Sequence, residues 1–431
     1  MKMMDCLSNI MNKVESNYIN KWKKTPQSFT RNRKLPPLTL CLQLFANKGR
    51  SLKNELFDFY NQYNLNGNVS SWGFSKRRLE FDPLMIHEMN HDLLKSYYSD
   101  NIKTLSSYKG YFIMGIDGSD IRIPTTAENY EYFGFQKRKG HDSNNEPCMA
   151  SISCLYDCMN NFILDTTINK FKYAERDSAI EHLNNTVDVC PKNSIYVFDR
   201  GYFSFKMIYL LKDKKYIFKL RADSLIQEQN KLTTNDQVVE IDYSGRRRHL
   251  YGINSEITSF FTEEKCNIRI LTLENNNGKN EFLITNIFEE ELKTEDIINI
   301  YKLRWEIETS YRNLKSQMKL EEFSGYLKDI IKQDIYISNI LYNLISAIII
   351  ENANINQEKY MYQMHVNRNY STGIIKTLFI KILLSSGKEK EKLEEILYDE
   401  INKNVVPIRK KSNPRKRNIK NKCSMSYKNS Y

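Results

Sequence analysis

The sequence predicts an α/β protein with a strand-rich centre between two helical regions. Three observations predict it. Residues 1–105 carry helical apolar spacing broken at Pro36, Pro37, Gly49, Gly67 and Pro83. From residue 111 the pattern changes to short β-rich runs with turn residues between them. Beyond residue 292 helical spacing returns, and the chain ends in a basic stretch. At 431 residues and 41% hydrophobic content, the chain is long enough to bury several cores.

Within 1–105, SLKNELFDFYNQY (51–63) opens on Ser51 as an N-cap and places Leu52, Leu56, Phe57 and Tyr60 on a helical stripe. NLNGN then turns the chain, and VSSWGFSKRRLEF starts a second helix bearing Lys76, Arg77 and Arg78. The pair reads as a helix-turn-helix-like region, with Arg77 and Arg78 expected to contact DNA. Residues 21–34 hold six Lys or Arg and no acid around Trp22 and Phe29, which suits an arm gripping phosphates.

In 106–222, YFIMGID, CMASISCLYD and NFILDTTI read as strands, KYAERDSAIEHLNN as a helix and SIYVFD as a buried strand. FKMIYLLKD suggests another helix and YIFKLRA another strand. Three strands, helix, strand, helix, strand is the order of an RNase H-like core. Residues 223–291 hold polar strand-like pieces, QVVEIDYSG, RRRHLYGI, CNIRILTLE and EFLITNI, with NNNGKN as a hairpin turn, and separate this β–α stretch from the helical region that follows. Residues 292–350 are expected to complete the core, and 351–431 to form a helical region whose end, Arg409–Lys422, has eight basic residues and no acid.

The segment YKLRWEIETSYRNLK (301–315) places Tyr301, Arg304, Glu308 and Lys315 at offsets 0, 3, 7 and 14. On one continuous helix these fall at about 0°, 300°, 340° and 320°, a single stripe beside an apolar face. A carboxylate flanked by cations suits a metal-dependent site acting on a polyanion. Two more carboxylates stand out among the acids. Asp117 follows YFIMGI and Asp199 follows SIYVF, so each is expected at the carboxyl end of a buried strand with a glycine nearby.

The spacing Y-x2-R-x3-E-x6-K resembles the YREK signature of the insertion-sequence-four branch of bacterial DDE transposases. GIDGSD resembles that family's first aspartate block through Asp117, and FDRGYF its second through Asp199. The resemblance runs in order over roughly residues 29–383, with Asp120 as a weaker candidate for the first position. It implies an RNase H-like catalytic core interrupted by a β-rich insertion, with an N-terminal all-helical DNA-binding domain. It also implies that Asp117, Asp199 and Glu308 are catalytic and hold two Mg²⁺ ions, for which Mn²⁺ can substitute. Tyr301, Arg304, Lys315 and Arg200 would contact DNA. The implied activity is cut-and-paste transposition by a homodimer that brings double-stranded transposon ends and target DNA together. The insert has no Trp, so a flipped-base pocket would have to use Tyr243, Tyr251 or Phe260.

A net charge of +12 and a pI near 9.0 favour an anionic partner. The apolar stretch Ile335–Ile350 contains Asn339 and Asn343, which suits a buried helix rather than a membrane span. The first residues lack an uninterrupted apolar run, so no signal peptide is expected and the protein is placed in the bacterial cytoplasm, on the nucleoid. The eight cysteines form no C-x2-C pair and are expected as reduced thiols. HEMNH at 87–91 fits H-E-x-x-H, and His87, Glu88 and His91 would be the zinc ligands and base of a metalloprotease. No suitable third ligand follows, so they are expected as surface histidines of the N-terminal domain. A DNA-binding relative that no longer cuts is the other alternative.

Overall fold

The computed structural model describes residues 1–31, 34–46, 50–63, 69–137, 146–241, 255–263, 266–274 and 280–408. The N-terminal region is helical: α1 (Met3–Asn12), a π-helical turn (Val14–Tyr18), α2 (Ile19–Trp22), α3 (Pro37–Phe45), α4 (Leu52–Gln62), α5 (Ser71–Arg78) and α6 (Leu84–Asn101). One face of α1 buries Met3, Leu7, Ile10 and Met11, the stripe its spacing dictates. Ser70 caps α5 by accepting from the Gly73 N–H. Ser51 makes no such side-chain bond at α4, where Glu55 instead accepts from Arg50 N at 2.8 Å.

Arg77 and Arg78 are not surface residues. Arg78 is fully buried, donating to Gln333 Oε1 (2.7 Å), Ser324 Oγ (2.6 Å) and Asp334 Oδ1 (2.8 Å). Arg77 is also buried, bonded to the Leu35 carbonyl and to Glu80, with its guanidinium 3.9 Å from the centre of the Phe29 ring. This corrects the reading of both as DNA contacts, because their donors already serve the protein interior.

The centre is one eight-stranded sheet: β1 (Phe112–Arg122), β2 (Met149–Asp157), β3 (Phe162–Lys170), β4 (Ser194–Phe198), β5 (Lys215–Lys219), β6 (Asp236–Glu240), β7 (Asn267–Glu274) and β8 (Asn280–Thr285). Its order is β3-β2-β1-β4-β5-β8-β7-β6. β3, β2 and β1 are antiparallel neighbours, while β4 and β5 join β1 in parallel. That half, with α8 (Glu175–Asn185) and α9 (Phe205–Leu210) as crossovers, is the RNase H-like arrangement. A short helix that periodicity did not suggest, α7 (Ala127–Tyr132), lies between β1 and β2, capped by Thr126.

The segment from 223 to 291 supplies β6, β7 and β8, which extend the core sheet because β8 pairs antiparallel with β5. It also holds two helices, α10 (Ile226–Asn230) and α11 (Ser255–Glu263), where only strand-like pieces were expected. The RRRHLYGI piece, residues 275–279 of the NNNGKN turn, the NLNGN turn, Tyr243, Tyr251 and the basic stretch 409–422 lie outside the described residues. Phe260 packs edge-on against Tyr209 and Phe261.

After α12 (Thr294–Lys302) and α13 (Trp305–Ser316) comes α14 (Lys328–Asn352), the one described helix long and apolar enough to cross a membrane. Its apolar window is 78% buried within the protein, so it is a core helix. Its polar residues have partners on β3: Asn343 Oδ1 accepts from Ile163 N (2.7 Å), and Asn339 donates to Thr166 Oγ1 (2.9 Å). Asn90 on α6 donates to the Ile163 and Leu164 carbonyls, and together these side chains cover the outer edge of the sheet. The chain continues through β9 (Met364–Val366), α15 (Arg368–Leu384), α16 (Gly387–Lys403) and β10 (Val405–Pro407).

Candidate active site

β1 and β4 run side by side in one direction, with Ile116 opposite Phe198. The next residue of each segment is an aspartate, which makes Asp117 and Asp199 neighbours where β4 ends. β1 does not end there. It continues to Arg122, paired with β2, which corrects the expectation that Asp117 closes its strand. Side chains alternate along a strand, so Asp120 points to the opposite face, where it accepts from Ser151 Oγ at 2.7 Å.

Glu308 comes from α13, which lies over β1. The Tyr311 hydroxyl donates to the Asp117 carbonyl at 2.8 Å, and a Cβ on Gly115 would meet Ile307 at 3.9 Å. Tyr301 does not share this helix. Between α12 and α13 the backbone switches to i→i−3 bonds: Leu303 N to Ile300 O, Arg304 N to Tyr301 O, Glu306 N to Leu303 O and Ile307 N to Arg304 O. The tighter turn breaks the 100° phase on which a single stripe depends. This corrects the one-helix expectation.

Arg304 sits at that break and joins the acids. Its Nη1 is 3.6 Å from Asp117 Oδ2, and its Nη2 is 3.1 Å from Glu308 Oε1. The guanidinium is buried, and both carboxylates are partly exposed. Lys315 is also engaged, donating to Ser119 Oγ (2.9 Å) and to the Asp120 carbonyl (3.0 Å). Arg200 is exposed directly after Asp199, and Tyr301 is half-buried beside Arg304.

A fourth carboxylate reaches this place. Glu175, the first residue of α8, has its Cγ 3.9 Å from where a Cβ on Gly118 would stand, and its Oε2 would be 2.7 Å from a Cβ on Gly201. Only glycine at 201 lets the acid approach so closely. Glu175 was missed in the sequence because it opens an ordinary polar helix rather than following a buried strand. Only its neighbours in space single it out.

Burial pushes the Asp117 carboxyl up to about 6. The Gly118 N–H and Arg304 oppose that shift, while Glu175 and Asp199 add to it by repulsion. The Tyr202 hydroxyl is buried without a hydrogen-bond partner, and burial together with Asp117, Glu175 and Asp199 holds its ionisation well above the ordinary value. Clustered carboxylates, one with its pKa pushed up by burial, beside an orphaned hydroxyl form a donor set suited to a hard divalent cation.

The H-E-x-x-H segment is on α6 as expected, but Glu88 is engaged away from the histidines by Lys21 Nζ (2.7 Å) and Trp22 Nε1. It cannot serve as the base of a protease. His87 and His91 are not surface residues either. They are mostly buried against Asp165.

The sequence resembles Transposase InsG for insertion sequence element IS4 from Escherichia coli (strain K12), at 23% identity over 244 residues. That match covers 55% of this chain, and the chain spans about half the length of this curated relative, 52%. The cryo-EM structure of the piggyBac transposase synaptic complex with hairpin DNA superposes with a TM-score of 0.43 at 9% identity, over 93% of this chain and 85% of that one. A superposition at that level carries no weight for fold or function. The Transposase DDE domain family matches residues 110–344, more than half of the chain and the whole stretch from the start of β1 into α14. The chain belongs to the Transposase DDE domain family.

Proposed function

We propose that this protein is a transposase of the insertion-sequence-four branch, which cuts the ends of a DNA element and joins them to target DNA. The observation that carries the reading is the adjacency of Asp117 on β1 and Asp199 just past the end of the parallel β4, with Glu308 tied to Asp117 through Arg304. Asp117, Asp199 and Glu308 would hold divalent metal, two Mg²⁺ ions with Mn²⁺ able to substitute, and Glu175 lies close enough to assist. When bound, such ions lower the pKa of an attacking water or 3′-hydroxyl and offset charge on the leaving oxygen.

The chain's own groups prepare that state. Arg304 offsets repulsion among the carboxylates and orients Glu308 from one helical turn away. Arg200, exposed after Asp199, and Lys315 would contact phosphates of the DNA, while the buried Tyr301 hydroxyl would stay beside Arg304 rather than reach them. Bringing two ends together requires at least a homodimer on double-stranded DNA, acting on the chromosome in the bacterial cytoplasm.

The test is cleavage of DNA carrying the element's flanking ends, with Mg²⁺, by wild type and by Glu308→Ala. Metal-dependent nicking and strand joining, lost in the variant, is the expected result. End binding without cleavage by both proteins would identify a catalytically silent DNA-binding relative and sink the proposal.

A further inference from the structure

A second group of metal-ligating side chains lies apart from the catalytic acids, where α6 crosses the outer strand of the sheet. His87 Nε2 is 2.5 Å and His91 Nε2 3.1 Å from the same oxygen, Asp165 Oδ1 on β3. The donor atoms of these three residues all lie within 4.8 Å of one another. The histidines are four residues apart on one helix, and their rings are 4.3 Å apart, so both imidazoles face the strand.

Asp165 is fully buried. Among the described residues its partners are three histidines and Asn185, with no Lys or Arg in ion-pair contact. A buried carboxylate without a permanent cation is costly. Two imidazoles aimed at one of its oxygens are what a bound cation would need as neighbours.

The other oxygen is already held in place. Oδ2 contacts His182 Nδ1 (2.8 Å) and accepts from Asn185 Nδ2 (3.2 Å), while His182 Nε2 is 2.9 Å from Ser153 Oγ. Such outer contacts orient a carboxylate that binds metal through its remaining oxygen. The backbone contributes as well. The β2–β3 register shifts beside Asp165, with Leu155 opposite Asp165 but Tyr156 opposite Ile163, and a bulge of this kind re-aims the neighbouring side chain.

We propose that His87, His91 and Asp165 form a zinc site that fastens α6 of the N-terminal region to β3 of the catalytic core. Two imidazole nitrogens and one carboxylate oxygen are donors that zinc accepts readily, and a fourth position is left for water. The side chains of His87 and His91 are 14% and 16% exposed, which leaves a path for that water. The role is structural, because Glu88, the only acid of the segment, is held by Lys21 and Trp22.

The test uses the full chain, stripped of metal and then dialysed against a small molar excess of Zn²⁺ with a much larger excess of Mg²⁺ to occupy the catalytic acids. Elemental analysis should find one zinc per chain, and thermal melting should move upward with zinc. A His87→Gln/His91→Gln double variant should lose both effects, Asp199→Ala should keep them, and His182→Gln should weaken zinc binding by about 10- to 100-fold. Should the double variant fail to fold, Co²⁺ on the wild type decides: intense visible bands of a tetrahedral site support the proposal, and their absence overturns it. Wild type that takes up no zinc, or a folded double variant that takes up as much as wild type, also overturns it.

Discussion

Arg304 Nη1 lies 3.6 Å from the Asp117 carboxylate, which places a buried guanidinium from the α12–α13 turn against an acid at the centre of the sheet. The contact offsets negative charge that metal would otherwise have to neutralise alone. Arg304→Ala should therefore melt at a lower temperature without metal and gain more from Mg²⁺ than wild type does. Cleavage should fall by about 10²-fold, the loss typical of one preorganised charge. Paired melting curves with and without Mg²⁺ check the first expectation. Equal gains in both proteins would show that Arg304 does not share the site with metal.

Asp117 must ionise before it can bind a cation, and burial holds its pKa up to about 6. Above that pH the carboxylate is ready. Below it protons compete, and the Mg²⁺ concentration for half-maximal cleavage should rise by about tenfold per pH unit. Glu175 adds to the upward shift, so Glu175→Gln should move this acid limb to lower pH. Mg²⁺ titrations across the acid range, with both proteins, decide it.

Arg78 is fully buried with Gln333, Ser324 and Asp334 as partners. Arg78→Ala removes the guanidinium that Asp334, Gln333 and Ser324 share and should destabilise by about 3–5 kcal/mol. DNA affinity per folded molecule, and its salt dependence, should be unchanged. A reduced salt slope with intact stability would return Arg78 to the DNA surface.

Arg269 on β7 is 1% exposed and donates from Nε and Nη2 to Asp236, at 2.7 and 2.6 Å. It also donates to the Leu292 carbonyl at 2.6 Å, just before α12. Burial pushes the Asp236 carboxyl up, but hydrogen bonds from Arg269 and Thr294 outweigh it, and the net shift is downward. A lowered folded pKa gives stability that is present above the unfolded value of about 3.9 and lost as pH falls through the folded one. Asp236→Asn should thus be less stable than wild type at neutral pH, with the difference closing in acid. Denaturant melts at both pH values test it.

Much of the architecture was readable along the chain because local periodicity carries it. Phe112–Ile116 and Ser194–Phe198 are apolar runs, buried in the structure as their composition suggests. Each runs directly into an aspartate, and that much is sequence information. The helical N-terminal region, the succession of core strands along the chain and the strands of the insertion are of the same kind.

What could not be read depends on contacts between distant residues. The sequence by itself determined most of the core strands and long helices, the aspartate that follows each of two buried apolar runs, and the spacing of two histidines on α6. The tertiary structure decided which charges meet. It buried Arg78 under α14, brought Glu175 to Gly118 and Gly201, and set His87 and His91 against Asp165. It also broke the 301–315 segment into two helices, because i→i−3 bonds tighten the backbone at Arg304. Hydrophobic period fixes which face of an element is buried, but the partner of a buried charge is set by packing between segments far apart in the chain.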